Sequence, residues 1–546
     1  MFDPRQPAVS VPASSFGTHQ KRAPVENPFA GLPEEARAGR LDVLCLRPIH
    51  HALEMEGLYG LLADLREEAP EAEVHLHLRS ALRDPAPFGL LPVHRVARLT
   101  TAGGRGELAA GLRSLLEELP AGAACVLIAP PRGARRLAAR CTRVRVAAAV
   151  PLDFHTRSRS LGGRQAADAF LAALRTESPR WATAPPKPGT FCAPPTRDGA
   201  ARILVHQARF HVGDTLWLTP LLREIRRRFR QAEITVVGPP AAAQVLEGNP
   251  RVGDLQIYHP RDGEEGRRRV LAALGGRPFD VALFGFARRR ESRWLAEAAA
   301  GWGVPWRINL EYHDLFLDDR RPAAPFTHEG WFFWGSMASP RMLLHALDPL
   351  LGPEPWERFL GDRRTEVHIS RPTRIRAAEA LRAHGFDGEP FAVFAPGGSS
   401  SRRWPAEKFA RLAVLLTRHF GLHVLLEGAP GEEELLAGIL AAVPPGEARR
   451  RIVAATDPLG VLAAHLESAR LLISNDSAAI HVAEAVAAPT LYFAHREKLA
   501  HSHPRTRACW AIYDDVGNDP SAIAVEQALG AVREMGRLGL VRLGSR

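Results

Sequence analysis

The 546-residue chain contains no run of about 18 consecutive apolar residues, and no apolar core follows its N-terminus. Neither a membrane-spanning helix nor a secretory leader is expected, so any contact with a bilayer would be peripheral. Cysteine is scarce: Cys45, Cys125, Cys141, Cys192 and Cys509 are odd in number and far apart. No C-x-x-C pair or Cys/His cluster accompanies them, so no metal site is expected and a reduced, cytoplasmic compartment fits. The chain also lacks a nucleic-acid-binding signature and any interleaving of aromatic with basic residues, which argues against a nucleic-acid partner. Its glycine-rich loops lack GK[ST], which excludes a nucleoside-triphosphate P-loop.

What is present is positive charge and apolar alternation. Lys and Arg number 71 against 60 Asp and Glu, a formal +11. Arginine runs at Arg267-Arg268-Arg269 and Arg288-Arg289-Arg290 suit phosphates or an anionic membrane face; equally, they are a solvated surface of an arginine-rich protein. An apolar content of 46% is enough to fill the cores of about three domains.

The stretch Ala201 to Gly238 organises the chain. Ile203–Val205 reads as a buried strand, followed by a loop ending in Gly213-Asp214. A helix then presents Leu218, Leu221, Leu222, Ile225 and Phe229 on one face and Arg223, Arg226, Arg227, Arg228 and Arg230 mostly on the other. Ile234–Val237 completes a βαβ unit. Asp214 therefore falls at the carboxyl edge of a parallel sheet, where ligands bind. It is a helix cap or a functional acid/base, and the residues alone leave both readings open. Shifting Leu41–Leu78 by 160 positions without a gap lays it over this unit, with Leu44 on Leu204, Leu58 on Leu218 and Leu61-Leu62 on Leu221-Leu222. This spacing points to a duplicated Rossmann-like domain, in which Leu53-Glu54 stands where the second copy has Gly213-Asp214. The first copy is expected to supply no catalytic group.

The fold class is α/β. Residues 1–40 read as a mobile arm, 41–178 as the degenerate Rossmann-like domain, 179–200 as a Pro-rich linker, 201–350 as the intact domain and 365–546 as a further Rossmann-like domain. In the last, strands at 391–395, 423–426, 451–454, 471–474 and 490–493 alternate with helices, which predicts a parallel sheet covered on both faces. A terminal helix over 521–538 is expected to pack back across the interface between domains.

Three sites in the last domain carry chemistry. In Phe394-Ala-Pro-Gly-Gly-Ser-Ser-Ser-Arg-Arg-Trp-Pro405, Gly397 and Gly398 let backbone N–H groups approach an anion. Ser399 and its neighbours add hydroxyls, and Arg402 and Arg403 add charge. An ordinary glycine turn is the bland alternative. In Leu471 to His481, Asp476 or Asn475 can cap a helix whose first turn faces a phosphate, and His481 is either structural or turned to the same cleft. Glu432, after Gly428-Ala-Pro-Gly431, either bonds a ribose hydroxyl or is a favourable charge at a helix start.

Taken together, Gly213-Asp-Thr-Leu-Trp-Leu-Thr-Pro220, Pro396-Gly-Gly…Arg402-Arg-Trp-Pro405 and Asn475-Asp-Ser-Ala-Ala-Ile-His481 resemble glycosyltransferase family 9, the ADP-heptose:lipopolysaccharide heptosyltransferases, over about 201–500. The resemblance implies two facing Rossmann-like domains of the GT-B type and an inverting, metal-independent transfer. It makes 201–350 the acceptor side, with Gly213 and Thr215, and 365–546 the donor side. Asp214 falls at the general base, and Arg402 stands where the family usually has lysine against the departing diphosphate. Gly397, Gly398, Ser399, Asp476, Ser477 and His481 match nucleotide-sugar loops, and Glu432 a ribose contact. The implied partners are a nucleoside-diphosphate sugar (ADP-heptose, a co-substrate rather than a cofactor) and an anionic glycolipid acceptor, met at the cytoplasmic face of the inner membrane. Three departures stand out: Ala478 replaces a glycine, Ala494-His495-Arg496 replaces a Gly-Pro-Thr-like turn, and Arg209 and His211 replace small residues. Against this enzyme reading stand a non-catalytic binding or scaffold protein, and a glycosyltransferase with another sugar or a protein acceptor.

Overall fold

The computed structural model describes residues 9–12, 29, 31–45, 52–78, 95–98, 123–128, 144–150, 180–183, 195, 199–285, 289–313, 325–333, 339–351, 364–398, 403–495, 499–504, 506, 508–514 and 519–543. Within them the strands form three sheets.

The first sheet comprises β2 (Arg40–Cys45), β3 (Glu73–Leu78), β4 (Arg95–Arg98), β5 (Ala123–Ile128) and β6 (Val144–Val150). Its order is β4-β3-β2-β5-β6, every pair parallel. The central strands β2 and β5 are the most apolar of the five, and in them Leu41, Val43, Leu44 and Val126–Ile128 are fully buried. The helix Ala52–Glu68 turns Leu58, Leu61, Leu62 and Leu65 inward, the i, i+3, i+4, i+7 stripe of a helix lying on a core. Two carboxylates lie inside, Asp42 of β2 and Asp64 of this helix; Asp42 is bonded by His77 at 2.8 Å and by Arg40 at 3.0 Å.

The second sheet repeats this plan. It contains β7 (Arg180–Thr183), β8 (Arg202–Gln207), β9 (Glu233–Gly238), β10 (Asp254–Ile257), β11 (Val281–Gly285), β12 (Trp306–His313) and β13 (His328–Phe333). The order is β10-β9-β8-β11-β12-β13-β7, parallel except for β7 at the edge. The helix Val212–Arg228 stands where Ala52–Glu68 stood, its stripe being Leu218, Leu221, Leu222 and Ile225. The 160-residue shift holds for both helices and for Glu73 and Glu233, which open β3 and β9. It fails in the preceding strand: Arg40 pairs with Glu73, but Arg202 pairs with Glu233. The loop before the first helix, 46–51, is two residues longer than 208–211, so Leu44 does not occupy the place of Leu204.

The third sheet joins β1 (Val9–Pro12) to β14 (Phe391–Ala395), β15 (His423–Glu427), β16 (Ile452–Ala455), β17 (Leu471–Asn475), β18 (Thr490–Phe493) and β19 (Cys509–Tyr513). The order is β1-β19-β18-β17-β14-β15-β16, all parallel. Two segments expected to be an arm and a linker thus each lend a strand, β1 and β7, to the edge of a sheet. Edge pairing uses backbone N–H and C=O groups, so four residues without periodicity suffice. The terminal helix, Val525–Arg537, does not cross to another domain. It packs beside the helix Ala406–Phe420 in a core made wholly of this domain's residues, with Trp404 Nε1 donating to Ile523 O at 2.9 Å.

The second and third sheets meet through helices. One apolar cluster runs from Leu216, Trp217 and Leu221 to Val461, Ile480 and Ala483. The segment 364–370 is stitched to the helix Val212–Arg228: Thr219 Oγ1 accepts the Glu366 N–H at 2.9 Å, and the Glu366 carboxylate receives Arg223 at 2.9 Å and also pairs with Arg251. No helix among the described residues is long and apolar enough to cross a membrane.

Candidate active site between the second and third sheets

Two helix starts face each other across the seam. On one side β8 runs through 208–211 into the helix Val212–Arg228, whose N-cap position is His211, without a side-chain cap. Asp214, in the first turn, accepts the His211 backbone N–H and so does serve the helix start. Its other oxygen, Oδ2, is buried with no hydrogen-bond partner among the described residues. The capping reading therefore holds for one oxygen of the side chain, and the other is left without a hydrogen-bond partner among the described residues. Burial pushes the Asp214 pKa above the usual carboxylate range; Arg209, His211 and His481 oppose this by favouring the ionised form. Arg209 and His211, departures from the resemblance, thus bear on the charge state of Asp214. Thr215 beside it is fully buried, and its Oγ1 lacks a partner among the described residues.

On the other side β17 runs into the helix Ala478–Ala485. Its cap is neither Asn475 nor Asp476: Ser477 holds the extended backbone immediately before the helix, and its hydroxyl accepts the Ala479 N–H at 3.3 Å. Asn475 instead ties two loops, Nδ2 donating to Pro396 O at 2.6 Å and Oδ1 accepting from Trp404 N at 2.8 Å. Asp476 is half-buried at the mouth of this turn.

The two helix starts touch at Gly213 and His481. A Cβ on Gly213 would lie 3.1 Å from His481 Cδ2, so a side chain there would require the imidazole to shift by a few tenths of an ångström. The structure thus gives this glycine a reason in the contact across the seam. Trp217 Nε1 donates to His481 Nδ1 at 3.4 Å with the rings edge to face at 5.0 Å, and Thr365 Oγ1 donates to His481 O at 3.0 Å. Trp217 and Thr365 escaped the sequence reading because one lies in an apolar stripe and the other follows a segment without pattern.

The glycine loop after β14 is held by Glu432. Its carboxylate accepts the N–H groups of Gly398 at 3.3 Å and Ala429 at 3.0 Å, and Arg403 Nη2 lies 3.6 Å away. A Cβ on Gly397 would fall 2.3 Å from Glu432 Oε2, and Gly398 has φ of 119°, which side chains rarely adopt. The loop's glycines therefore serve Glu432 in the first instance. Arg403 Nε donates to Gly398 O at 2.8 Å. Ser399 and Arg402 lie outside the described residues.

One His/carboxylate group with metal-ligand proximity occurs among the described residues: Glu427, Asp457 and His465, with ligand atoms within 4.8 Å. His465 Nε2 donates to Ala377 O at 3.1 Å and Nδ1 meets Glu427 Oε1 at 2.7 Å. Both ring nitrogens are engaged, so the group is a buried hydrogen-bonded ion cluster that anchors the end of β15, just before the turn carrying Glu432.

Residues 354–512 match the family described as glycosyltransferase family 9 (heptosyltransferase). No curated protein matches the chain. Among solved structures, it is similar to the glycosyl transferase family 9 protein from Veillonella parvula DSM 2008, with 21% identity, 63% of this chain and 98% of that chain covered, and a TM-score of 0.53. It is also similar to the E. coli ADP-heptose lps heptosyltransferase II, with 20% identity, 62% and 99% covered, and a TM-score of 0.48. The Veillonella likeness shows a shared fold, two facing Rossmann-like sheets of the GT-B type.

Proposed function

From the match of residues 354–512 to glycosyltransferase family 9 (heptosyltransferase), we propose that this protein moves a sugar, heptose in the first instance, from a nucleoside-diphosphate sugar such as ADP-heptose to a hydroxyl of a cell-surface glycan. The observation that carries the reading is Asp214, with a buried carboxylate oxygen that has no partner among the described residues, at a helix start that touches the facing helix start through Gly213 and His481.

In this scheme Asp214 Oδ2 takes the proton of the acceptor hydroxyl as its oxygen attacks the anomeric carbon. The bond from that carbon to the diphosphate breaks on the opposite face, giving inversion. The electron pair leaves on the diphosphate, toward the N–H groups behind Ser477 and the loop of Gly397 and Gly398, with Arg402 as counter-charge. Glu432 shapes that loop through Gly398 and Ala429. Positioning and fixed donors supply the stabilisation, and the scheme calls on no metal or cofactor. The acceptor is an anionic glycolipid such as the lipopolysaccharide core, met at the cytoplasmic face of the inner membrane, which the +11 charge favours.

The test is a donor screen with the full chain. Nucleotide sugars carrying different bases and sugars are incubated with a lipopolysaccharide-core acceptor, reading free nucleoside diphosphate and protection against thermal unfolding. One donor should both protect and turn over. Protection without release by any donor would mark a binding or scaffold protein, and neither effect would remove the donor site altogether.

A further inference from the structure

A segment without regular structure, 364–370, lies along the seam between the second and third sheets and leads into the helix Arg371–Ala383. That helix belongs to the body of the third sheet: Arg374 Nε donates to Glu467 at 2.8 Å, and the Ala377 carbonyl accepts from His465. The bonds from this segment to the helix Val212–Arg228 therefore cross from one body to the other.

Two consecutive residues of the segment reach opposite walls of the seam. Thr365 is buried, and its hydroxyl meets the helix Ala478–Ala485, 3.0 Å from His481 O and 3.2 Å from Glu484 Oε2. Glu366 reaches the other wall. Its N–H donates to Thr219 Oγ1 at 2.9 Å, and the proton of that hydroxyl goes to Leu216 O at 2.7 Å, which fixes the hydroxyl as the acceptor. The Glu366 carboxylate takes Arg223 Nη1 at 2.9 Å and pairs with Arg251, while Arg223 Nη2 donates to Arg364 O at 3.0 Å. Arg251 is itself tied to this helix, its carbonyl accepting from Arg226 Nε at 3.1 Å. Charge-assisted bonds of this kind fix direction as well as distance.

Burial of the apolar cluster across the seam is non-directional, so it holds the two helices together without fixing their register. Thr365 and Glu366 supply the register, because neighbouring Cα atoms stay about 3.8 Å apart. One end of this covalent ruler is bonded to His481, the residue that touches Gly213; the other is bonded to the helix that carries Asp214. We propose that Thr365 and Glu366 are positioning residues, a two-armed clamp that sets the gap between the helix start of Asp214 and the helix start of Ser477. The effect on turnover rests on the glycosyltransferase reading; the effect on the gap does not.

The experiment uses the full chain with fluorotryptophan incorporated, read by fluorine NMR, the Trp217 line being assigned by its loss in Trp217→Phe. Trp217 meets His481 across the seam, so its line reports the gap without substrate. Thr365→Val keeps the side-chain shape and removes the hydroxyl, Thr365→Ser keeps the hydroxyl, and Glu366→Ala removes the carboxylate. Thr365→Val and Glu366→Ala should each shift or broaden the Trp217 line, and Thr365→Ser should leave it near the wild-type position. A Trp217 line unchanged in both Thr365→Val and Glu366→Ala would overturn the clamp. With a nucleotide-sugar donor, each of these two should lower kcat by roughly tenfold, the scale of a sub-ångström misplacement, with donor KM within about twofold. The arms act in series, so the double variant should lose no more than the worse single one. Additive losses in kcat, or a donor KM that rises as far as kcat falls, would overturn the positioning role and leave two separate stabilising contacts. A wild-type chain that turns over no donor would remove the glycosyltransferase reading, and the fluorine line would still decide the clamp.

Discussion

In the sheet β2–β6 and in the sheet β8–β13, a central strand leads to a helix of 17 residues with four inward aliphatics at the same spacing, Leu58, Leu61, Leu62 and Leu65 in one, Leu218, Leu221, Leu222 and Ile225 in the other. The scaffolds agree and the first turns do not. Leu53 and Glu54 occupy the second and third helical positions where Gly213 and Asp214 stand, after a loop longer by two residues. The buried aspartates differ as well. Asp42 is bonded by His77 and Arg40, whereas Asp214 keeps an oxygen without a partner among the described residues. The stripe is common to both units; the second alone combines a glycine through which the facing helix approaches with a buried carboxylate oxygen that has no hydrogen-bond partner among the described residues.

The comparison breaks most readily at Asp214. Asp214→Asn should fold normally, bind donor nearly as well as the wild type, and lose about a hundredfold or more in turnover, the scale of a positioned base. Wild-type steady-state rates in this variant would reduce Asp214 to its capping role.

Importing the first sheet's residue next door, Gly213→Leu, should lower turnover by roughly tenfold or more, because His481 already lies 3.1 Å from where a Cβ would sit. Donor affinity should fall less than turnover, since the loops proposed to hold the nucleotide lie on the other side of the seam. Kinetics beside calorimetry separates the two; an unaffected variant would show that the seam opens freely.

The two aspartates should answer acid with opposite signs. Burial alone would raise Asp42, but the His77 and Arg40 bonds outweigh it and hold its carboxyl below the usual range. Its contribution to stability is therefore present above the ordinary aspartate pKa and lost as pH falls through the lower folded value. Burial raises Asp214, so its ionised form disappears sooner, and the acid limb of activity should lie above the ordinary aspartate range. Hydrogen exchange in β2 and β3, followed with pH alongside turnover, should show activity failing first. Coincident losses would mean that both carboxylates titrate with the fold.

The smallest effect belongs to Glu54→Ala, expected to leave turnover within a few-fold of wild type. A loss comparable to that of Asp214→Asn would make the first sheet a second site.

Much of the fold was legible because buried parallel strands are apolar runs and their helices carry a periodic stripe; β14 and β18 fall where those runs predict. The strands β1 and β7 were not legible, because pairing at a sheet edge leaves no side-chain signature. The two-residue loop difference hid behind a helix and a following strand that do align without a gap. At the site, Asp214, the glycine pair and the helix after β17 could be read from local chemistry. The seam could not: Gly213 and His481, or Thr219 and Glu366, become neighbours only once the chain is folded. Capping was misassigned by one residue because Asn475, Asp476 and Ser477 are all good caps, and only backbone geometry chooses among them.

Strand β1 also couples the order of synthesis to the completion of the fold. Val9 lies beside Trp510 and Pro12 beside Tyr513, so among the described strands the first to leave the ribosome pairs with the last. Until β19 is made, β1 has no template, and until β1 arrives the outer backbone of β19 is bare. Closing so long a loop is slow compared with local pairing, and an uncovered strand edge in the interval invites other chains. A newly made chain is thus vulnerable at the β1 and β19 edges until the two meet. Removing residues 1–12 should prolong that state in the mature protein, measurable as concentration-dependent association during refolding; refolding as clean as the full chain's would show that β19 needs no cover.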